Sequence, residues 1–525
     1  MRMRRRRVGW AAIMLVKKQS AQKKASAGRL LCAAGISLML SGCVVGPKYH
    51  PPAPQAPATA YKESPSEFTE NEAWTVAAPS DAKLRGKWWE IFNDAELNAL
   101  EDQLDINNNN IKVSFENFMA ARAVVREAHA QYFPTVSVAP SISRNRASAN
   151  VGGSASSGST TNLQSSAFSL PLDVSWAPDL WGKIRNTVHQ AQYAAQVSAA
   201  DLENERLIEQ ASLAEFFFQI RGQDKLQEIF NKTVEADQKA LDLARARYET
   251  GVDGKIAVVE AETTLHSAQA GATNVGIARA QYEHAIAVLV GQAASKFSIA
   301  KKPMTVAPPP IPVGMPSELL QRRPDIAASE RTMAEANAVI GIAHAAYYPA
   351  LTLSASGGFQ SSSLSHWLSW PNRFWSVGTS LSEAIFDAGL RRATVQQDVA
   401  LYNADLASYR QTTLAAFQQV EDALAEVRIL SQEVQQEQQA VDSAQTFLEL
   451  EQYRYETGID PYLNVLIAQT TFLSNQQNLN NLQVQEMTSA VTLVQALGGG
   501  WDRSQLPTPA QVTQRPAPAE TAIQQ

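Results

Sequence analysis

Residues 121–134 read ARAVVREAHAQYFP, and residues 336–349 read ANAVIGIAHAAYYP. Eight of the fourteen positions are identical, among them His129/His344, Tyr132/Tyr347 and Pro134/Pro349, at an offset of 215 residues. Farther along, RYETGVD from Arg247 returns as RYETGID from Arg454, now at an offset of 207, and Thr263-Thr264 falls on Thr470-Thr471. The chain is an internal duplication. The offset shortens between the two matches, so the second copy has a shorter loop there.

Each copy repeats one order of elements. A helical stretch of about 35 residues ends at Tyr-aromatic-Pro, two strand-like segments follow, then a very long helical stretch, a glycine turn and another helix. The strand segments alternate with period two. Val136, Val138 and Ile142 alternate with Ser137, Ala139, Ser141 and Ser143, and Phe168, Leu170, Leu172, Val174 and Trp176 alternate with Ala167, Ser169, Asp173 and Ser175. In the second copy Leu351, Leu353 and Phe359, then Trp375, Val377 and Leu381, alternate with Ser, Thr and Gln. Each segment is about ten residues, the length of a transmembrane β-strand, whereas a closed membrane barrel needs about eight strands. Four strands per chain therefore require several chains, and three give twelve; a soluble hairpin pair packed on helices is the alternative. The Trp-rich connection near Trp367 and Trp370 suits a membrane rim.

The long helices run near Lys183–Tyr248 and Leu390–Tyr455 and contain no proline. At ~1.5 Å per residue each reaches on the order of 100 Å, which demands coiled-coil partners along its length. Glycines at Gly251 and Gly458 mark the turns that end them.

The ends of the chain carry other signals. Residues 1–42 hold ten Lys/Arg and no acid, which leaves 35 Lys/Arg against 51 Asp/Glu in the remainder. An acidic mature chain argues against nucleic acid as a partner. The basic segment, with Met1 or Met14 as its start, leads into the apolar run Leu30–Leu40, which has the length of a signal-peptide core and is too short to span a bilayer. It ends in Leu40-Ser41-Gly42-Cys43, similar to a bacterial lipobox, with cleavage before Cys43 and lipid on its sulfur. Cys32 and Cys43 are the two cysteines, so the processed chain has no disulfide. A Pro/Ala-rich tether follows.

Taken together, LSGC at Leu40, WWEIFND from Trp88, LLQRRPDIAASE from Leu319, AVIGIAHAAYYP from Ala338, the paired RYETG turns and ALGGGW from Ala496 resemble the outer-membrane factor family of tripartite efflux systems (TolC-like, lipoprotein branch). The resemblance implies a mixed, mainly α fold: a homotrimer whose twelve-stranded β-barrel lies in the outer membrane of a Gram-negative bacterium, continuous with a periplasmic helical barrel. It implies passive export without catalysis, a periplasmic adaptor (membrane fusion) protein and an RND-type inner-membrane transporter as partners, and no cofactor beyond covalent lipid on Cys43. The division is a signal peptide 1–42, tether and first equatorial residues 43–87, repeat one 88–291, equatorial linker 292–318, repeat two 319–501 and a disordered tail 502–525. By resemblance the second turn carries the periplasmic gate. Tyr455 matches a gate tyrosine, Leu463 an apolar constriction position, and Asn464 and Ile467 stand where relatives often place acid rings, with Asp460 the nearest acid. Leu463 and Ile467 read equally as coiled-coil core. The turns Arg247/Gly251 and Arg454/Gly458 resemble an adaptor-contact surface; an intrahelical pair with a nearby Glu is the other reading of each arginine. A lipid-anchored periplasmic coiled coil that never spans the membrane is the competing function. His129 and His344 at equivalent helix ends read as packing residues, and Arg323-Pro324-Asp325 as a helix start.

Overall fold

A computed structural model describes residues 45–52, 62–63, 86–146, 164–305, 307–311 and 319–515. The signal segment, Cys43 and nearly all of the Gly/Ser-rich loop at 146–162 lie outside the described residues. The first copy contains α1 (Ala95–Asn107), α2 (Asn109–Ala130), β1 (Thr135–Val138), β2 (Ser141–Arg146), β3 (Gln164–Trp176), α3 (Lys183–Glu249) and α4 (Lys255–Leu289). The second contains α5 (Leu319–Arg322), α6 (Pro324–Ala345), β4 (Ala350–Ser361), β5 (Arg373–Ser382), α7 (Leu390–Glu456) and α8 (Tyr462–Ala496), followed by α9 (Pro509–Thr513). The leading helical stretch of the first copy is divided at Asn108. Its side chain accepts from the N–H groups of Asn110 (2.8 Å) and Ile111 (3.1 Å) and so caps a new helix.

The chain falls into two compact units. One draws on residues 123–192 and 334–404 and holds the sheet. All its ladders are antiparallel, in the order β1-β3-β4-β5, with β2 also on β3. Thr135 pairs with Ser175, Val138 with Leu172, Ser141 with Ser169 and Arg146 with Gln164, all in one register. β1 and β2 are thus a single line interrupted at Ala139-Pro140, where proline has no N–H to donate. Five segments fill four strand positions.

Directly opposed residues share a face. Val136, Val174, Ala355 and Val377 form one row, and Val138, Leu172, Gly357 and Trp375 the next. The alternate rows are Ser137, Asp173, Ser356 and Ser376, and Thr135, Ser175, Ser354 and Gly378. One face is therefore apolar and the other polar. The apolar face stays uncovered in the single chain: Trp375 is 78% and Val377 74% exposed. At the Pro349 end of this sheet, the Trp181 indole donates to Pro349 O (2.8 Å) and stacks on Tyr348. Asp179 receives the N–H groups of Ile184 and Arg185 and pairs with the Arg185 guanidinium, and Asp387 does the same for Gly389 and Arg391. An acid thus anchors the positive end of each long helix. His129 packs edge-on to Tyr132.

The second unit is helical. Trp88, Trp89 and Phe92, in a short 3₁₀ turn, are fully sequestered with Leu97, Leu213, Phe217, Val420, Val491 and Leu497. Trp88 donates its indole N–H to Gln210 (3.2 Å). Arg323 joins Asp325 and donates to Ala496 O (2.9 Å), closing the C-terminus of α8. A side chain at Gly498 (φ +95°) would lie 2.1 Å from Arg322 O, so this approach requires glycine. The tail expected to be disordered from 502 is folded as far as 515. Trp501 and Val512 are buried, Gln196 donates to Pro507 O (2.8 Å), and Arg122 donates to Gln514 O (2.9 Å). A Thr508 capping box starts α9. The prolines from Pro507 onward, which suggested disorder, concealed these apolar anchors. Among the described residues, no helix is long and apolar enough to cross a membrane.

Candidate functional site at the helix tips

The seven-residue repeat builds two similar turns. α3 ends at Glu249, and Gly251 (φ +77°) lets the N–H groups of Val252 and Asp253 fold back onto Arg247 O at 2.9 and 3.2 Å. α7 ends at Glu456, and Gly458 (φ +77°) brings Ile459 and Asp460 back onto Arg454 O at 2.8 and 3.4 Å. Both are glycine-terminated helix ends. In each, the arginine pairs with the aspartate six residues on: Arg247 Nε to Asp253 Oδ2 at 2.8 Å, and Arg454 Nε to Asp460.

The two turns then part company. Tyr455 is buried and donates its hydroxyl to Asp253 Oδ2 at 2.7 Å, while its counterpart Tyr248 is exposed. The Arg247 guanidinium lies 4.7 Å from the Tyr455 ring centroid and donates to Glu456 O at 3.2 Å. Asp253 thereby receives Arg247 from its own turn and Tyr455 from the other copy. This clasp ties the α3–α4 hairpin to the α7–α8 hairpin. Behind it, Tyr455 and Tyr462 pack edge-to-face at 5.4 Å within a cluster of Leu241, Ala244, Ala261, Leu265 and Val465.

Burial raises the Asp253 carboxyl, but the bonds from Arg247 and Tyr455 outweigh it and hold the group below the usual carboxylate range. The bond from Arg454 likewise lowers Asp460. Burial, followed by the Asp253 bond, raises the Tyr455 hydroxyl well above its ordinary value, and burial pushes Tyr462 up to about 12. Near neutral pH the clasp is an ionised carboxylate between a guanidinium and a neutral phenol.

The remaining sequence candidates divide clearly. Leu463 and Ile467, four residues apart on α8, are 48% and 52% exposed, whereas Tyr462, Val465 and Ala468 take the inner face. They are not core within their own chain. Asn464 is half-buried beside them. Asp460, the nearest acid, is paired with Arg454. The alternative reading, an intrahelical pair with Glu, is replaced by pairs with Asp253 and Asp460; Arg247 is largely enclosed by the clasp, and Arg454 is about half exposed. Val252, Ile256, Tyr453 and Ile459 are exposed apolar groups around the tips. Sequence reading passed over Asp253 and Tyr462, although Asp253 closes the quoted repeat. Among the described residues, no group of three or more His, Cys, Asp or Glu is placed to hold a metal.

Comparison with known proteins agrees with this architecture. The profile of the outer membrane efflux protein family matches residues 100–292 and 315–499. The chain belongs to this family. It is 31% identical over 476 residues to the antibiotic efflux pump outer membrane protein ArpC of Pseudomonas putida, covering 90% of this chain and 96% of that protein. It is 30% identical over 476 residues to the toluene efflux pump outer membrane protein TtgC, also of Pseudomonas putida, with the same coverage. Among solved structures, the outer-membrane channel OprN superposes with a TM-score of 0.78 at 27% identity, covering 87% of this chain and all of that one. Both halves of the duplication fall within the family match, and so do both turns of the clasp.

Proposed function

We propose that the chain forms a homotrimeric outer-membrane channel, the exit duct of an efflux pump, and conducts small molecules passively without catalysing a reaction. The observation that carries this reading is the sheet: among the described residues it has four strand positions, one apolar face left bare, one face lined mainly by serine and threonine, and free edges at β1/β2 and β5. In a bilayer an unpaired strand edge is prohibitive, because each orphan backbone group costs several kcal/mol. Pairing β5 of one copy with β1 of the next, around a threefold axis, removes every edge and gives twelve strands. The apolar rows then face lipid and the Ser/Thr rows face the lumen.

Cys43 carries lipid on this reading. Val45 donates to Trp181 O (3.2 Å) and Pro47 O accepts from Asn337 (3.1 Å). These contacts fasten the chain just after Cys43 beside the Pro349 end of β4, where a membrane surface would lie. At the tips the clasp holds the hairpins together, and Leu463 and Ile467, repeated threefold, form an apolar constriction. The exposed apolar groups and Arg454 at the turns receive a periplasmic adaptor, which couples the duct to an inner-membrane transporter of the RND type. Drugs and organic solvents are the substrate classes suggested by the named relatives.

The test is ion conductance of the purified protein in planar bilayers, with protease cutting of the 146–162 loop on intact cells. Steps of uniform conductance and external cleavage are expected. A protein that conducts nothing and is cleaved only after the outer membrane is breached would instead be a periplasmic coiled coil.

A further inference from the structure

A cavity of about 580 Å³ lies between α3, α7 and α8, within the size range of small-molecule sites. Ile229, Val441, Leu448 and Phe472 give it apolar walls, and Asp237 and Gln469 bring polar groups to it. Asp237 is 1% and Gln469 8% exposed. Both Asp237 carboxylate oxygens and Gln469 Oε1 are buried without a hydrogen-bond partner among the described residues. The Tyr462 hydroxyl, which feels the charge of Asp237, makes no hydrogen bond either. Two residues that line one cavity thus carry three buried acceptor atoms with no donor bound to them among the described residues.

The other charged groups lining the cavity do not resolve this. Lys225 and Lys232 both pair with Glu228 on their own helix, at 3.5 and 2.6 Å, and Glu449 is an acid. Burial pushes the Asp237 carboxyl up to about 6, so near neutral pH it is mostly an anion. A buried anion without a partner is strongly unfavourable. A hard metal ion would call for about six oxygen ligands, and the apolar walls do not offer them.

We propose that this cavity binds a primary organic ammonium bearing a short apolar tail. The three N–H donors of such a group match the two Asp237 oxygens and Gln469 Oε1, and the tail lies along Ile229, Val441, Leu448 and Phe472. The guest bridges α3 of the first copy to α8 of the second. The site is independent of whether the chain conducts.

The test uses the full-length protein in lipid nanodiscs, titrated calorimetrically at pH 7.5 with hexylamine, and with hexan-1-ol and hexyltrimethylammonium as controls. Hexylamine should bind saturably at one site per chain. The alcohol, which lacks the charge, and the quaternary ion, which lacks the N–H donors, should bind roughly tenfold more weakly or worse. Asp237→Asn should weaken hexylamine by a similar factor with particle size and helical circular dichroism unchanged, and Gln469→Met should weaken it by a smaller one. Lowering the pH to 5 should also weaken it, as Asp237 takes up a proton. No saturable binding, equal binding of hexan-1-ol, or an unchanged affinity in Asp237→Asn would overturn the proposal. Each of those results would make the cavity a packing gap or the seat of a neighbouring copy's side chain.

Discussion

Replacing Tyr455 with phenylalanine isolates the bond that joins the two hairpins. The ring remains, so its packing on Tyr462 and its contact with the Arg247 guanidinium persist. What disappears is a 2.7 Å hydrogen bond to Asp253, made in a buried setting to a carboxylate held ionised. Hydrogen bonds to charged groups contribute about 1.5–3 kcal/mol. If the tips separate when the channel opens, removing one such bond per chain raises the opening equilibrium of each hairpin pair by roughly ten- to a hundredfold. The assay is macroscopic conductance in planar bilayers at low voltage, paired with uptake of a large antibiotic by cells that express the variant. A double-mutant cycle with Asp253→Asn assigns the gain to this contact, because the double variant should be little leakier than either single one. Conductance within about twofold of the parent protein would refute the clasp as a restraint on opening. Full additivity in the cycle would refute the bond as its source.

Other perturbations test separate parts of the account. Leu463→Ser should raise conductance if the exposed Leu463/Ile467 face lines a constriction; unchanged conductance with weaker trimers would assign that face to packing between copies. Burial, and then the charges of Asp105 and Asp102, raise the Glu101 carboxyl well above its ordinary value, and neither of its oxygens has a partner among the described residues. Glu101→Gln should therefore leave the melting temperature at pH 7 unchanged or higher, and a fall of several degrees would show that the charge is used. Asp237 is raised from 3.8 to about 6 in the fold, so folding favours its protonated form. Its contribution is complete below about pH 4, is lost as the pH rises through about 6, and is flat above that, amounting to at most ~3 kcal/mol per chain. Urea unfolding of Asp237→Asn across this window should lack the slope seen in the parent protein.

The duplication made most of this fold legible. Period-two alternation around Val174 and Val377 distinguished the strands, and the proline-free runs before Arg247 and Arg454 marked the long helices, because both signals are local and repeated. The break at Asn108 and the folded segment around Val512 were not legible. Each depends on long-range contacts, such as Asn108 Nδ2 to Leu289 O at 3.0 Å and Gln196 to Pro507, which leave little trace in neighbouring residues. The site was half legible. The repeated heptapeptide pointed to the turns and the family resemblance to Tyr455, but the repeat makes the two turns look equivalent. Tyr455 and Tyr248 occupy the same motif position, and only the packing of the α7–α8 hairpin against α3 buries one and leaves the other in solvent. Asp253 gains its role from that asymmetry. Leu463 and Ile467 were ambiguous because a four-residue apolar spacing describes a core stripe as well as a pore lining; exposure within the chain excludes a core inside one copy and leaves a pore lining or packing between copies.

A direct test of the barrel is disulfide trapping between its free edges. Cys43 is the one cysteine expected in the processed chain, so a cysteine at Val138 on β1 can be combined with a scan of cysteines along β5 from Phe374 to Leu381. If β5 of each copy pairs antiparallel with β1 of the next, one register of the scan will convert the protein to a covalent closed trimer on non-reducing gels. If every position in the scan leaves monomer, in cells as well as in purified membranes, the sheet is not completed by copies of this chain and the channel is not built as described.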